Sequence, residues 1–145
     1  MDASRVVEHF LDLVKIDALS LQERPVNDYL LNIIQQWGLE VTEDDSAAQT
    51  GSNAGNLIID VPGKGVEAPP IYLCSHTDTV RPTKDLKAQV VDGIIRSDGT
   101  TILGADNRAG VAILMAVLEK VATEEMTHRP FQVLFTTAEE IGLIG

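Results

Sequence analysis

The chain has 145 residues, 44% of them hydrophobic, which suits a single domain with a hydrophobic core. Its formal net charge of -11 argues against nucleic acids and anionic membranes as partners. Its apolar runs are far shorter than the roughly 20 residues that span a bilayer, and acidic residues near the N-terminus argue against a signal peptide. With a single cysteine, Cys74, the chain forms no internal disulfide, so we expect a cytoplasmic location and a buried, inert thiol.

The first part of the chain predicts two amphipathic helices. Apolar residues recur at helical spacing over residues 3–16. A second apolar face follows and stops at Gly38, which is a favourable left-handed helix cap. The start of this second helix stays open from 21 to 25, because Ser20–Glu23 resembles a capping box whereas Pro25 is favoured at the first helical position.

The remainder predicts strands interleaved with one more helix. We expect strands over 39–42, 56–61, 71–75 and 131–136, a loop over 44–55, a hairpin over 90–95 and a helix over 106–122. The hairpin turn is Asp92-Gly93, a pair that adopts the positive φ angles of a two-residue turn. Two of the strands are apolar on successive residues, as in strands buried on both faces. The pattern predicts an α/β fold with a mixed, largely parallel sheet sandwiched by helices.

Potential metal ligands follow the apolar strands. His76 and Asp78 come after one strand, Glu139 and Glu140 after another, and Asp106 opens a helix. In α/β sheets, ligands bind beyond the carboxyl ends of the strands. We therefore expect these side chains to form a single site.

Each of these motifs also has a simpler interpretation. His76 and Asp78 share one face if the strand continues, so that Asp78 can orient the imidazole; the alternative is a polar turn. Asp106 could ligate metal or only cap a helix. Glu139 and Glu140 point in opposite directions in an extended segment, one towards metal and one towards substrate; the alternative is an exposed acidic loop.

The order of the three motifs resembles a known family. Thr100 to Gly110 (Thr-Thr-Ile-Leu-Gly-Ala-Asp-Asn-Arg-Ala-Gly) and Gly55 to Gly63 (Gly-Asn-Leu-Ile-Ile-Asp-Val-Pro-Gly) are similar to the co-catalytic zinc aminopeptidase and amidohydrolase family. That family includes peptidase T, acetylornithine deacetylase, succinyl-diaminopimelate desuccinylase and carboxypeptidase G. The peptidase T (tripeptidase) branch is the most similar. The resemblance implies a zinc exopeptidase-like catalytic domain, of which residues 1–145 are the N-terminal part.

The resemblance also implies roles for individual residues. His76 binds one zinc ion, Glu140 binds the other, and Asp106 bridges the two. Asp78 orients the histidine, and Glu139 is the general acid and base of peptide hydrolysis.

Further implications are a cis peptide bond between Asp106 and Asn107, and cobalt or manganese as possible replacements for zinc. Gly104 and Gly110 are expected where backbones approach closely. Arg108 stands where many members have lysine; it keeps the positive charge and could tune substrate contacts. His9 and His128 are expected at the surface.

The resemblance implies a small peptide as substrate and a homodimer for the full-length protein. Two further ligands, a lid and dimerisation domain and the rest of the catalytic domain are expected outside this chain, which is then inactive alone. One alternative is a deacylase of N-acyl amino acids in the same family. Another is a non-catalytic metal- or nucleotide-binding α/β domain, with Gly104 to Gly110 as a phosphate loop that lacks the usual glycine pattern.

Overall fold

The computed structural model describes residues 3–145. Its helices and strands are, in chain order, α1 (Ala3–Leu13), α2 (Arg24–Gln36), β1 (Thr42–Glu43), α3 (Ala47–Thr50), β2 (Leu57–Val61), β3 (Ile71–His76), β4 (Gln89–Val91), β5 (Ile94–Arg96), α4 (Ala105–Thr123) and β6 (Phe131–Thr136). Most predicted elements are therefore confirmed.

The differences from prediction lie in the polar first third of the chain. β1 has only two residues and begins later than expected, and the predicted loop contains the short helix α3. Helix α2 starts next to Pro25, and no side chain caps it, so the capping box is not formed. At the other end, Gly38 has the predicted left-handed conformation, with φ 79°. The hairpin turn also agrees, since Asp92 and Gly93 both have positive φ.

The main sheet has the strand order β1-β2-β6-β3. β3 pairs with β6 in parallel, whereas β1 with β2 and β2 with β6 are antiparallel. The mixed α/β sheet is thus confirmed, and its parallel pairing is confined to β3 and β6. β4 and β5 form a separate hairpin.

The hydrophobic core lies between one face of this sheet and helices α1, α2 and α4. Alternate residues of β2 and β6 are buried there: Leu57, Ile59, Val61, Phe131, Val133 and Phe135. The opposite face is only partly covered, and Tyr72 on it is 68% exposed. Cys74 is exposed too, so its predicted burial is wrong. The cause is that Cys74 pairs with Leu134, which alternates with the core residues Val133 and Phe135, so its side chain lies on the face opposite the hydrophobic core.

Of the two histidines expected at the surface, only His9 is contradicted by the structure. His9 is buried, 3% exposed. Its Nε2 lies 3.0 Å from Glu119 of α4, and its ring meets Trp37 edge-on. His128 is half-buried and exchanges backbone hydrogen bonds with Lys64.

Within residues 3–145, no helix has both the length and the apolar character required to cross a bilayer.

Candidate metal centre

The parallel pairing of β3 and β6 creates the site. His76, the last residue of β3, pairs with Thr136, the last residue of β6. The two chains stay together for one more residue, since the Thr77 N–H donates to the Thr136 carbonyl at 2.8 Å. Because parallel strands end at the same edge, the segments after β3 and β6 lie side by side, as predicted.

His76 is the centre of the arrangement. Its Nε2 lies 3.2 Å from Asp106 Oδ1 and 3.7 Å from Glu139 Oε2. His76, Asp106 and Glu140 each offer a ligand atom, and these three atoms lie within 4.8 Å of one another. The structure therefore brings together the three residues predicted to bind metal.

Asp106 reaches the site from the first turn of α4. The residue before the helix is Gly104, in a left-handed conformation and without a side-chain cap. Asp106 itself has non-helical angles, φ -87° and ψ 109°, and the peptide bond to Asn107 is cis, as predicted. Its side chain is 85% exposed and meets His76. The interpretation of Asp106 as a helix cap is therefore wrong.

Asp78 lies behind His76. It is fully buried, and its Oδ1 is 3.3 Å from His76 Nδ1. The same ring nitrogen is 3.1 Å from the Asp78 backbone carbonyl. Both acceptors lie on the side of the ring away from Asp106, so they can hold Nδ1–H and leave Nε2 free to ligate.

The electrostatics of the site favour positive charge. Burial by itself lowers the pKa of His76, but hydrogen bonds to Asp78 and Asp106 and the charge of Glu139 outweigh it and raise the pKa to about 9. Burial raises the pKa of Asp78, yet its bonds to His76, Ser20 and two backbone N–H groups lower it to about 2. The nearby carboxylates that hold this proton would also favour a metal cation, which must displace the proton from His76 in order to bind.

The two adjacent glutamates do not diverge as an extended chain would require. Ala138 has φ 53°, and the N–H groups of Gly142 and Leu143 bond back to the Glu139 carbonyl. This turn directs both carboxylates towards His76. Burial, with the charges of Asp106 and Glu139, raises the pKa of Glu140, although His76 opposes the shift.

Sequence analysis missed the residues that hold this turn. Ser20 Oγ donates to Asp78 Oδ2 at 2.6 Å, and the Ala138 N–H donates to Glu23 at 2.9 Å. Asn56 Oδ1 accepts from the Thr137 N–H. The signal for the first two was the Ser-x-x-Glu pattern, which was interpreted as a helix cap.

The segment from Gly104 to Gly110 does not form a phosphate loop. Gly110 lies inside α4, where a Cβ would meet Asn107 Oδ1 and Ser75 Oγ. The close approach expected at Gly110 is confirmed. Since side chains already occupy this face of the segment, the structure gives no support to the nucleotide-binding alternative.

Arg108 is buried, so it could influence substrate contacts only indirectly. It is 1% exposed, and its guanidinium donates to the Leu13 and Ile16 carbonyls at 3.2 and 3.4 Å. These carbonyls lie at and just beyond the C-terminal end of α1, where cations are favourable. Burial lowers the Arg108 pKa to about 10, although Asp78 and Asp17 oppose this.

An open cavity of about 330 Å³ lies beside His76, one of the three candidate ligands. His76, Asn107, Thr136 and Glu139 are among its lining residues. Glu139 therefore faces the space in which a substrate of modest size would lie, within reach of His76.

Sequence and structure similarities agree with this geometry. Residues 56–145 match the model of peptidase family M28, and the chain belongs to that family. Protein YqjE of Bacillus subtilis is 38% identical over 145 residues, all of this chain and 39% of that protein.

Two crystal structures resemble the whole described fold. A tripeptidase from Staphylococcus aureus superposes with a TM-score of 0.90 at 40% identity, over 98% of this chain and 38% of that one. The aminopeptidase PepT from Bacillus cereus gives 0.91 at 39% identity, with the same coverage. The chain thus spans less than two fifths of the length of these relatives. A zinc exopeptidase-like fold is confirmed.

Proposed function

We propose that this chain provides part of the active site of a metal-dependent hydrolase that cleaves small peptides, such as tripeptides with a free amino terminus. The convergence of His76, Asp106 and Glu140 within 4.8 Å carries the proposal. The similarity to a tripeptidase and to the aminopeptidase PepT supports the substrate class.

The residues present fit a zinc ion. Zinc accepts imidazole nitrogen and carboxylate oxygen at about 2.0–2.2 Å, and ligand atoms this close together reach one ion after small side-chain movements. His76 and Glu140 would each hold a metal, and Asp106, with two carboxylate oxygens, would be shared if two ions bind. A bound zinc ion would supply Lewis-acid chemistry for water and the peptide carbonyl.

The other side chains have separate tasks in this proposal. Asp78 holds the Nδ1 side of His76 and so orients the ligand nitrogen. Glu139 is not needed as a ligand, and its position beside the cavity lets it take a proton from water and deliver it to the departing nitrogen. These roles match the ones that the resemblance implied.

The 145-residue chain is proposed to be inactive by itself. A catalytic zinc usually has three protein ligands, so two ions that share three side chains lack ligands. We propose that the remaining ligands and a dimerisation domain belong to a longer gene product, with this chain as its N-terminal part. The exposed single thiol is compatible with a reducing, cytoplasmic location. Tripeptide hydrolysis by the isolated chain would contradict the proposed inactivity.

The test uses the complete natural gene product with bound metal. Glu139→Gln is expected to retain zinc in metal analysis and to lose about 10²- to 10⁴-fold in kcat. The matched control is Glu125→Gln, whose side chain is 91% exposed and pairs only with Lys64 among its described ion-pair partners. Full turnover by Glu139→Gln, or by wild type stripped of metal, would refute the mechanism. An N-acetyl amino acid assayed in parallel separates the peptidase from the deacylase.

A further inference from the structure

The turn that carries Glu139 and Glu140 is held by side chains along four successive residues. The N–H of Thr137 donates to Asn56 Oδ1 at 3.0 Å, and that of Ala138 donates to Glu23 Oε1 at 2.9 Å. The N–H groups of Glu139 and Glu140 donate to the two carboxylate oxygens of Asp78. After β6 ends, side-chain acceptors therefore take the place of the backbone carbonyls that pair a strand. These hydrogen bonds restrict the movement of the turn.

Glu23 is an unusual member of this set because it is fully buried. Its carboxylate accepts from the N–H of Leu21 at 2.9 Å and from Ser52 Oγ at 2.6 Å, besides Ala138. All three donors are neutral. The Glu23 side chain does not cap helix α2, so capping does not explain why it is buried at this position.

Ala138 is the residue at which the bond from Glu23 matters most. It is buried, and its φ of 53° is a left-handed conformation that alanine rarely adopts. It directly precedes Glu139 and Glu140, whose carboxylates both lie near His76. An acceptor fixed on its N–H therefore stabilises the turn where the backbone would otherwise relax.

Ser20 acts on the same turn through Asp78. Ser20 Oγ donates to Asp78 Oδ2 at 2.6 Å. The Asp78 oxygens also accept the N–H groups of Glu139 and Glu140, each at 3.1 Å. The two ends of the Ser20–Glu23 segment thus support the catalytic turn from two sides.

We infer that Ser20 and Glu23 are positioning residues of the hydrolase, which fix the backbone of Ala138 to Glu140 and so aim Glu139 and Glu140 at the metal and the scissile bond. This inference rests on the proposed function. Neither residue contacts the substrate in this scheme. Glu23 acts on the turn directly, and Ser20 acts through Asp78.

The test compares Glu23→Ala, Glu23→Gln and Ser20→Ala in the complete gene product. Glu23→Ala is expected to lower kcat and zinc affinity, each by about 10- to 100-fold, as loss of outer-shell support does, with KM nearly unchanged. Zinc affinity is measured by calorimetric titration of metal-free protein, independently of activity. Glu23→Gln keeps an acceptor oxygen and is expected to restore most of both, and Ser20→Ala is expected to show a smaller loss than Glu23→Ala.

The control is Glu119→Ala, which removes a carboxylate that bonds Arg5 and His9 at the α1–α4 contact. It is expected to lower the unfolding midpoint while kcat and zinc affinity stay at wild-type values. If Glu23→Ala behaves like this control, the positioning role is refuted and the proposed function stands. If Glu23→Ala does not fold, wild-type zinc affinity and kcat in Ser20→Ala would refute the role. If wild type neither binds zinc nor cleaves peptides, both proposals fail.

Discussion

Replacing Gly110 by alanine separates helix propensity from packing at the site. Alanine is favoured over glycine inside a helix by about 1 kcal/mol, so propensity alone predicts a more stable protein. In the structure, however, an alanine Cβ would lie 2.8 Å from Ser75 Oγ and closer still to Asn107 Oδ1. Both neighbours would have to move.

The cost of that movement follows from the bonds that the neighbours make. Asn107 Oδ1 accepts the Gly110 N–H at 3.0 Å, and Ser75 Oγ donates to the Asn107 carbonyl at 3.2 Å. Losing both costs about 2 kcal/mol, and distorted rotamers add about 0.5–1.5 kcal/mol. After the gain in propensity, we expect Gly110→Ala to lower the free energy of unfolding by about 1.5–2.5 kcal/mol.

Urea unfolding of metal-free protein measures this difference, and Asn107→Ala provides the second arm of a double-mutant cycle. Without the amide, the alanine meets only Ser75, so Gly110→Ala is expected to cost less in that background. Zinc affinity should fall as well, because Asn107 follows Asp106, which is proposed to bind the metal. A Gly110→Ala protein more stable than wild type would show that packing at this contact is loose and refute the reasoning.

Three further predictions concern metal, pH and the buried histidine. Zinc at about 100 times its Kd is expected to raise the free energy of unfolding by about 2.7 kcal/mol. Calorimetry should show this gain in wild type but not in His76→Ala. An equal gain in the variant would contradict the proposed site. The hydrogen bond from Arg24 lowers the pKa of Glu43 below 4.5, although burial opposes the shift. The contribution of Glu43 to stability is therefore present above pH 4.5 and is lost as the pH falls through its folded-state pKa. The urea midpoint should fall less steeply with acid in Glu43→Gln than in wild type, and parallel curves would count against this. His9→Ala is expected to cost about 1–3 kcal/mol, because it leaves Glu119 without one partner and Trp37 without its edge contact; a midpoint unchanged in urea would disprove that.

Much of the candidate site could be predicted from the sequence because its residues follow strong local patterns. β6 is an uninterrupted strand whose end at Thr136 agrees with prediction, and the adjacent carboxylates therefore fall at the sheet edge. His76 follows β3 for the same reason. Motif order along the chain then indicated a shared site, and the convergence of His76, Asp106 and Glu140 is confirmed. Their individual roles stay predictions.

The errors came from properties that depend on neighbours distant in sequence. Cys74 is in an apolar strand, yet it is exposed because its side chain lies on the sheet face opposite the hydrophobic core. His9 lies on an amphipathic helix, yet Glu119, over a hundred residues away, meets it in the interior. Nothing in the local sequence indicated that Arg108 would be buried and would bond carbonyls at the end of α1.

The Ser20–Glu23 segment illustrates the same division. Its sequence is compatible with a helix cap, in which the Glu23 carboxylate would bond a backbone N–H of the same helix end. The local pattern does not exclude the actual partner, a backbone N–H more than a hundred residues later. Local sequence determined where strands, turns and ligand-type residues occur, because hydrophobic periodicity and turn chemistry act over a few residues. Only the tertiary structure decided which carboxylates are buried, which donors they bind and how the glutamate turn is aimed, because desolvation and hydrogen bonding depend on all the atoms that surround a group in space.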